Sequence, residues 1–187
     1  MRNLILIPVT LLFSGCTLLP GEVQPTPLKP DQAVVFDIDG TLTPRPRAIF
    51  TARKDAATAA RLFADKGYKI VYLSARIRSL QSGIPEWLRE HHFPDGSIHV
   101  PQNHADSRDH AAFKTRILER YRQHGWHFVA AYGDSSTDFE AYAHAGINKS
   151  NVFALQREGQ SACQPGPWQQ CLATWSEHLG TIGTMLK

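Results

Sequence analysis

Cysteine is scarce in this sequence, three residues in 187, so the fold does not depend on disulfide staples. Its length lets it bury a core without them. A long apolar run is also missing. The most apolar stretch, from Leu4 to Phe13, falls short of the roughly 20 residues a helix needs to span a bilayer. An excess of one charge is missing too: 20 Lys and Arg stand against 17 Asp and Glu, a formal net charge of +3. That is too small for the electrostatic footprint of a nucleic-acid binder. Internal repeats are absent, and so are low-complexity runs outside one proline-rich segment. What remains is an ordinary globular composition, 42% hydrophobic, at a length that suits one domain.

Residues 1–15, MRNLILIPVTLLFSG, carry Arg2, an apolar centre and small residues just before Cys16. This is a secretory signal pattern, and it places the start of the mature chain at Cys16. Residues 17–31, TLLPGEVQPTPLKPD, hold four prolines and no helical or strand period. Together with Cys16 they read as a stiff tether (16–31) reaching at most about 45 Å. Residues 32–187 are then the folded domain. With Cys16 set aside, Cys163 and Cys171 remain as a pair that an oxidising compartment would join; two free thiols is the other reading.

The segment LFSGC resembles the lipobox of bacterial lipoproteins, and Thr17 after the cysteine resembles the outer-membrane sorting pattern. The resemblance implies lipidation of Cys16 and a membrane anchor in the bacterial cell envelope, on the periplasmic face of the outer membrane. A plain signal peptide with an incidental cysteine is the alternative.

From residue 33 onward, short apolar runs alternate with helical patterns. AVVFDI (33–38), KIVYLS (69–74), HFVAAYG (127–133) and NVFAL (151–155) read as buried strands. Helices are expected over 51–66, 84–92, 111–123 and 137–145, the first and last closed by Gly67 and Gly146. WQQCLATWSEHL sets Trp168, Cys171, Leu172, Trp175 and Leu179 at helical spacing, which predicts one more helix docked on the core. Strands separated by helices imply an α/β fold with a parallel sheet covered on both faces. Ligands in such sheets gather beyond the carboxyl ends of the strands.

Polar groups stand at those ends: Asp37 and Asp39 after the first strand, Ser74 and Arg76 after the second, Asp134 after the third. Several carboxylates brought together repel unless a cation compensates. Hard oxygen donors suit Mg²⁺, which commonly binds alongside phosphate.

DIDGT (37–41), Ser74 at a strand end, Lys114 in a helix and GDSSTD (133–138) resemble the four ordered motifs of the haloacid dehalogenase (HAD) superfamily of phosphatases. The resemblance implies a HAD-like Rossmannoid sheet with helices on both faces. It also implies roles by position. Asp37 would be the nucleophile and Asp39 the general acid and base, while Asp37, Asp39 (through its carbonyl), Asp134 and Asp138 would hold Mg²⁺. Ser74, Arg76 and Lys114 would meet the substrate phosphate, and Thr41 would order the first loop beside it. Lys54, Lys66 and Lys69 compete with Lys114 for the lysine role. FKTRIL, following an uncharged AAF between the second and fourth motifs, favours Lys114.

About thirty residues separate the first two strands, which leaves no room for a large cap domain. The open site this implies suits a bulky or surface-embedded substrate. DIDGTLTP, GYKIVYLSAR and AAYGDSSTDFEAYAHAGI are similar to the catalytic domain of lipins, magnesium-dependent phosphatidate phosphatases, and to the related LNS2 domain of phosphatidylinositol-transfer proteins. That resemblance implies a phosphorylated substrate, with a membrane phospholipid such as phosphatidate foremost. Small soluble esters and non-catalytic headgroup binding are the alternatives. Arg45, Arg47, Arg53, Lys54, Arg76 and Arg78 form a basic set that can meet anionic headgroups. His104, Asp106, Asp109 and His110 match no zinc motif, and the scattered histidines are read as surface residues. Oligomeric state is not legible.

Overall fold

The computed structural model describes Val23 and residues 31–185. The expectations for residues 1–15, for Cys16 and for most of the tether therefore lie outside the described residues. Val23 itself is buried in the core, so the proline-rich segment touches the domain at that point.

Six parallel strands make one sheet in the order β3-β2-β1-β4-β5-β6. They are β1 (Gln32–Phe36), β2 (Lys69–Leu73), β3 (Ser97–His99), β4 (His127–Gly133), β5 (Val152–Leu155) and β6 (Gln170–Leu172). Strand side chains alternate faces, and both faces are filled. Val34, Phe36, Ile70, Tyr72, Ala130, Tyr132, Phe153 and Leu155 face one apolar layer. Ala33, Val35, Val71, Leu73, Ala131, Val152 and Ala154 face the other. This double burial is why the strands read as nearly continuous apolar runs.

The first layer is closed by α1 (Ala56–Ala64), α2 (Ile84–Glu90) and α6 (Leu179–Met185), and the second by α4 (His110–Gln123) and α5 (Ser136–His144). A short α3 (His104–Arg108) precedes α4, with Asn103 and Asp109 capping the two in turn. Asp106 is buried, accepts Gln102 N–H just before α3 and is paired with Arg116, so the two acids of the four residues weighed for zinc serve helix ends instead.

Sequence expectation and structure differ at three places. The helix expected from residue 51 begins at Ala56, after Asp55 in the left-handed region (φ 61°). Residues before it are drawn out because Arg53 donates from its backbone to Leu42 O at 2.7 Å. Two three-residue strands, β3 and β6, extend the four expected. Finally, the helix expected around Trp168–Leu179 is instead β6, a single 3-10 turn at Ser176–His178, and α6. Pairing of Cys171 and Leu172 with Ala154 and Leu155 of β5 overrides the helical spacing. Trp175 still reaches the core, fully buried against Phe36 and Tyr132.

No domain is inserted between β1 and β2, in keeping with the absence of a large cap. The strand order reverses between β1 and β4, which leaves a crevice at their carboxyl ends.

Candidate active site

The loop leaving β1 is shaped by its own backbone. Thr41, Leu42 and Thr43 donate N–H groups to Ile38 O at 3.3, 2.9 and 3.0 Å, while Asp37 N–H still pairs with Tyr132 O on β4 at 2.9 Å. Asp37 is thus the last residue held by the sheet, and Asp39 lies on the first turn beyond it. Gly40 adopts φ 97°, and a Cβ there would stand 2.0 Å from Asp134 Oδ2. Only glycine lets the β1 loop lie this close to the acid at the end of β4.

GDSSTD folds as a capping box. Ser135 Oγ accepts from Asp138 N–H, and Asp138 returns the bond to Ser135 N–H, satisfying donors that the start of α5 would leave open. Asp138 Oδ2 takes Asp134 N–H at 3.1 Å, Ser135 N–H at 3.0 Å and Ser135 Oγ at 2.8 Å. Its other oxygen takes Lys114. Asp138 therefore has little bonding capacity left, and it fixes the ammonium more than it serves an ion directly.

Lys114 comes from α4 and is buried at 3% exposure. It donates to Asp37 Oδ1 at 2.6 Å and to Asp138 Oδ1 at 2.5 Å, so of the competing lysines this is the one that reaches the acids. Thr41, expected beside the phosphate, is buried and donates to Asp37 Oδ2 at 3.0 Å. Ser74, expected on the phosphate, is also buried and gives its hydroxyl to Asp39 Oδ2 at 2.7 Å. Arg76 grips Asp39 from the same side, Nη2 to Oδ1 at 2.6 Å and Nε to Oδ1 at 3.0 Å. These groups share one site as expected, but each is bonded to a carboxylate, the strongest acceptor within reach.

Two arginines have roles the sequence did not suggest. Arg157, just after β5, pairs with Asp134. Arg53, grouped above with headgroup-binding cations, instead binds the carbonyls of Gln156, Gly40 and Pro44 at 2.9 Å each and ties the β1 loop to the β5 loop. Its clue was long range and invisible to local pattern.

Electrostatics follow from burial. Asp37 is held well above the usual carboxylate range, by burial first and then by Asp138, although Lys114 pulls the other way. Burial and Asp138 also lift Asp134, to about 6, against the pull of Arg157. Asp138 is driven below its ordinary value: burial pushes it up, but Lys114 and the Ser135 hydrogen bonds outweigh that. Lys114, for all its burial, is pushed up by the two carboxylates it bridges.

Asp37, Asp134 and Asp138 each bring an oxygen within 4.8 Å of the others. Against these three buried carboxylates stand the cations of Lys114 and Arg157, which leaves one formal negative charge when all three are ionised, as a bound dication would make them. An all-oxygen, net-negative donor set fits a small hard dication such as Mg²⁺. The packing of Gly40 on Asp134 also brings the β1 loop backbone against the cluster. Above it opens a cavity of about 400 Å³ bounded by Asp37, Asp39, Arg76, Lys114 and Asp134, with Pro46, Ile49, Ile77 and Leu80 at its lips.

Sheet order, loop and acid cluster define a HAD-like phosphatase fold, and the chain belongs to the LNS2 family: residues 34–156 match the family described as "PITM 1-3, LNS2 domain". Among its relatives, Protein retinal degeneration B of Drosophila melanogaster is 32% identical over 135 residues, 69% of this chain and 10% of that protein. Membrane-associated phosphatidylinositol transfer protein 1 of Homo sapiens is 30% identical over 141 residues, 71% of this chain and 11% of that protein. Human phosphatidate phosphatase LPIN3 is 28% identical over 156 residues, 70% of this chain and 18% of that protein. The chain thus spans only a tenth to a fifth of the length of these relatives. Among solved structures, D,D-heptose 1,7-bisphosphate phosphatase from B. bronchiseptica, complexed with magnesium and phosphate, superposes with a TM-score of 0.58. It is 15% identical, with 81% of this chain and 97% of that one covered. The cobalt-bound deoxy-D-mannose-octulosonate 8-phosphate phosphatase from Haemophilus influenzae gives 0.53 at 16% identity, covering 83% and 88%.

Proposed function

We propose that this chain is a magnesium-dependent phosphomonoesterase that works through an aspartyl phosphate on Asp37 and acts on a lipid phosphate such as phosphatidate. The observation that carries the reading is the pairing of two intact carboxylates with different surroundings: Asp37 buried on Lys114, Asp39 two residues on and more open to the mouth.

Bound Mg²⁺ would supply the positive charge that keeps Asp37 ionised and polarises a phosphoryl oxygen. Asp37 Oδ attacks phosphorus in line and the bond from phosphorus to the ester oxygen breaks. Asp39 gives a proton to the departing alkoxide. Asp39 then takes a proton from water, the resulting hydroxide attacks the acyl phosphate, and the Asp37 carboxylate and inorganic phosphate are released. Lys114 offsets charge on nucleophile and phosphate throughout. Arg76 and Ser74 hold Asp39 towards the mouth.

A lipid substrate is favoured by the absence of a cap over the mouth among the described residues and by the lipin and transfer-protein relatives. The firm hold of Arg76 and Ser74 on Asp39 supports a second reading, headgroup binding without turnover. Phosphate release from phosphatidate vesicles, compared with a panel of small soluble esters, tests both. Release from vesicles with acid-stable label trapped on wild type but not on Asp37→Asn is expected, along with a loss of turnover of about a thousandfold or more. Undiminished turnover in Asp37→Asn would refute the mechanism, and no turnover on any ester would leave binding as the function. Lipidation at Cys16 and residence on the periplasmic face of the outer membrane belong to the same proposal. A Cys16→Ser chain that stays in the membrane fraction would end that part.

A further inference from the structure

Among the described residues, the large apolar side chains that stand out into water are Phe50, 80% exposed, Ile77, 64%, and Leu80, 39%. They are not scattered. Ile77 and Leu80 line the Asp37 cavity from one loop and Pro46 and Ile49 from another, and Phe50 is the next residue after Ile49 in the chain. Phe50 is also held in place, because His91 Nε2 donates to its carbonyl at 3.1 Å. Exposed arginines sit between these apolar groups in the same two loops: Arg45, Arg47 and Arg78. Arg45 and Arg47 border a shallow depression that also includes Arg157 and a single acid, Glu158. An apolar ridge edged by cations, on a fold whose other described large apolar groups are buried or half-buried, marks a contact surface.

We propose that this rim docks onto an anionic bilayer and sets the mouth of the site against the headgroup layer. The choice of occupant rests on the lipid-phosphate reading above. Asp37 lies at 3% exposure on the cavity floor, so whatever sits on the rim covers the mouth and must itself deliver the phosphate. A bilayer does this: Phe50, Ile77 and Leu80 enter the boundary of the acyl chains, and Arg45, Arg47 and Arg78 meet headgroup phosphates. A phosphomonoester headgroup then lies directly over the cavity. A protein seated there would close the site, and the arginines would oppose any basic face.

The test uses the full chain with Cys16→Ser in every arm, so that no acyl anchor contributes. A Phe50→Trp variant reports the depth of this one position. Trp87, Trp126 and Trp175 are buried and the half-buried Trp168 is replaced by Phe in every quenching arm, so the new indole dominates quenching from solution or lipid. Vesicles of phosphatidylcholine containing phosphatidylglycerol and brominated acyl chains are expected to quench it strongly, and neutral vesicles weakly. Phe50→Ser should weaken vesicle binding about tenfold and Arg47→Ala about fivefold, the latter effect shrinking as salt is raised. Both variants should hydrolyse a small soluble ester at the wild-type rate. Absence of quenching by brominated lipid overturns the proposal, as does equal quenching on neutral and anionic vesicles. Protection of the indole without lipid, rising with protein concentration, assigns the rim to a second copy and overturns it as well. Insertion of Phe50 into vesicles whose phosphatidate is not hydrolysed would support the docking surface while refuting the lipid substrate.

Discussion

Replacing Lys114 by methionine keeps most of the side-chain volume and removes the cation between Asp37 and Asp138. Those three side chains are 3%, 4% and 1% exposed, so water cannot replace the lost ammonium. Breaking a buried pair from one side costs about 3–5 kcal/mol, a large share of the ~5–15 kcal/mol that holds a domain together. The cost also carries a pH signature. Asp37 already sits above the ordinary carboxylate value in the folded protein, and loss of Lys114 raises it further. A carboxyl whose folded pKa is raised holds a proton that the unfolded chain has released, from about pH 4 up to the folded value. Stability in that window falls as pH rises, by up to about 1.4 kcal/mol per pH unit for one proton. The deficit of Lys114→Met relative to wild type is therefore expected in full at pH 8 and much reduced at pH 5. Urea unfolding in the presence of a chelator, followed by tryptophan fluorescence at both pH values, measures it. A deficit below about 1 kcal/mol at pH 8, or one that grows on acidification, would refute the reasoning.

Two further outcomes test other parts of the molecule. Cys163 and Cys171 are joined across eight positions with Cα atoms 5.8 Å apart. Loop-closure entropy puts the value of this link at about 2.5 kcal/mol, so Cys163→Ala/Cys171→Ala should lower the unfolding free energy by that order, and added dithiothreitol should leave the double variant unchanged. His99 is buried on Tyr121, its Nε2 2.8 Å from the phenol oxygen, and burial, aided by Arg120 and Lys69, pushes its pKa down to about 4. The unfolded chain takes up this proton below about pH 6.5 and the folded chain does not. His99 therefore contributes stability that is intact above that pH and is lost, to the extent of about 3 kcal/mol, as pH falls towards 4. The difference between wild type and His99→Gln across that range isolates the contribution, and matching acid limbs would count against it.

How much of this was legible beforehand depends on how far each signal reaches along the chain. The four central strands and four of the helices were readable because double burial leaves long apolar runs and the 3.6-residue period is local. Asp37, Asp39 and Asp134 were readable because a parallel sheet brings strand ends together, so a position after a strand predicts a place in space. The β3 and β6 strands were not readable: Ser97–His99 and Gln170–Leu172 are three residues each, half polar, and become strands only through their neighbours in the sheet. For the same reason the spacing of Trp168, Cys171, Leu172, Trp175 and Leu179 pointed to a helix that edge pairing excludes. Arg53 and Arg157 act across 103 and 23 positions, and no short motif announces such bonds. Ser74 and Thr41 were placed in the right site but next to acids, because burial hands a hydroxyl to its nearest carboxylate.

Trp175 fills the hollow between Phe36 and Tyr132, and its indole N–H is bonded at 3.1 Å to the carbonyl of Thr41, in the turn that follows Asp37. The segment shared with the family stops at residue 156, well short of this wedge. A fragment trimmed to the shared segment would retain every motif acid and still lose the bolt behind that turn. For anyone dissecting this protein, the smallest piece that carries the signature and the smallest piece that stands up are different objects.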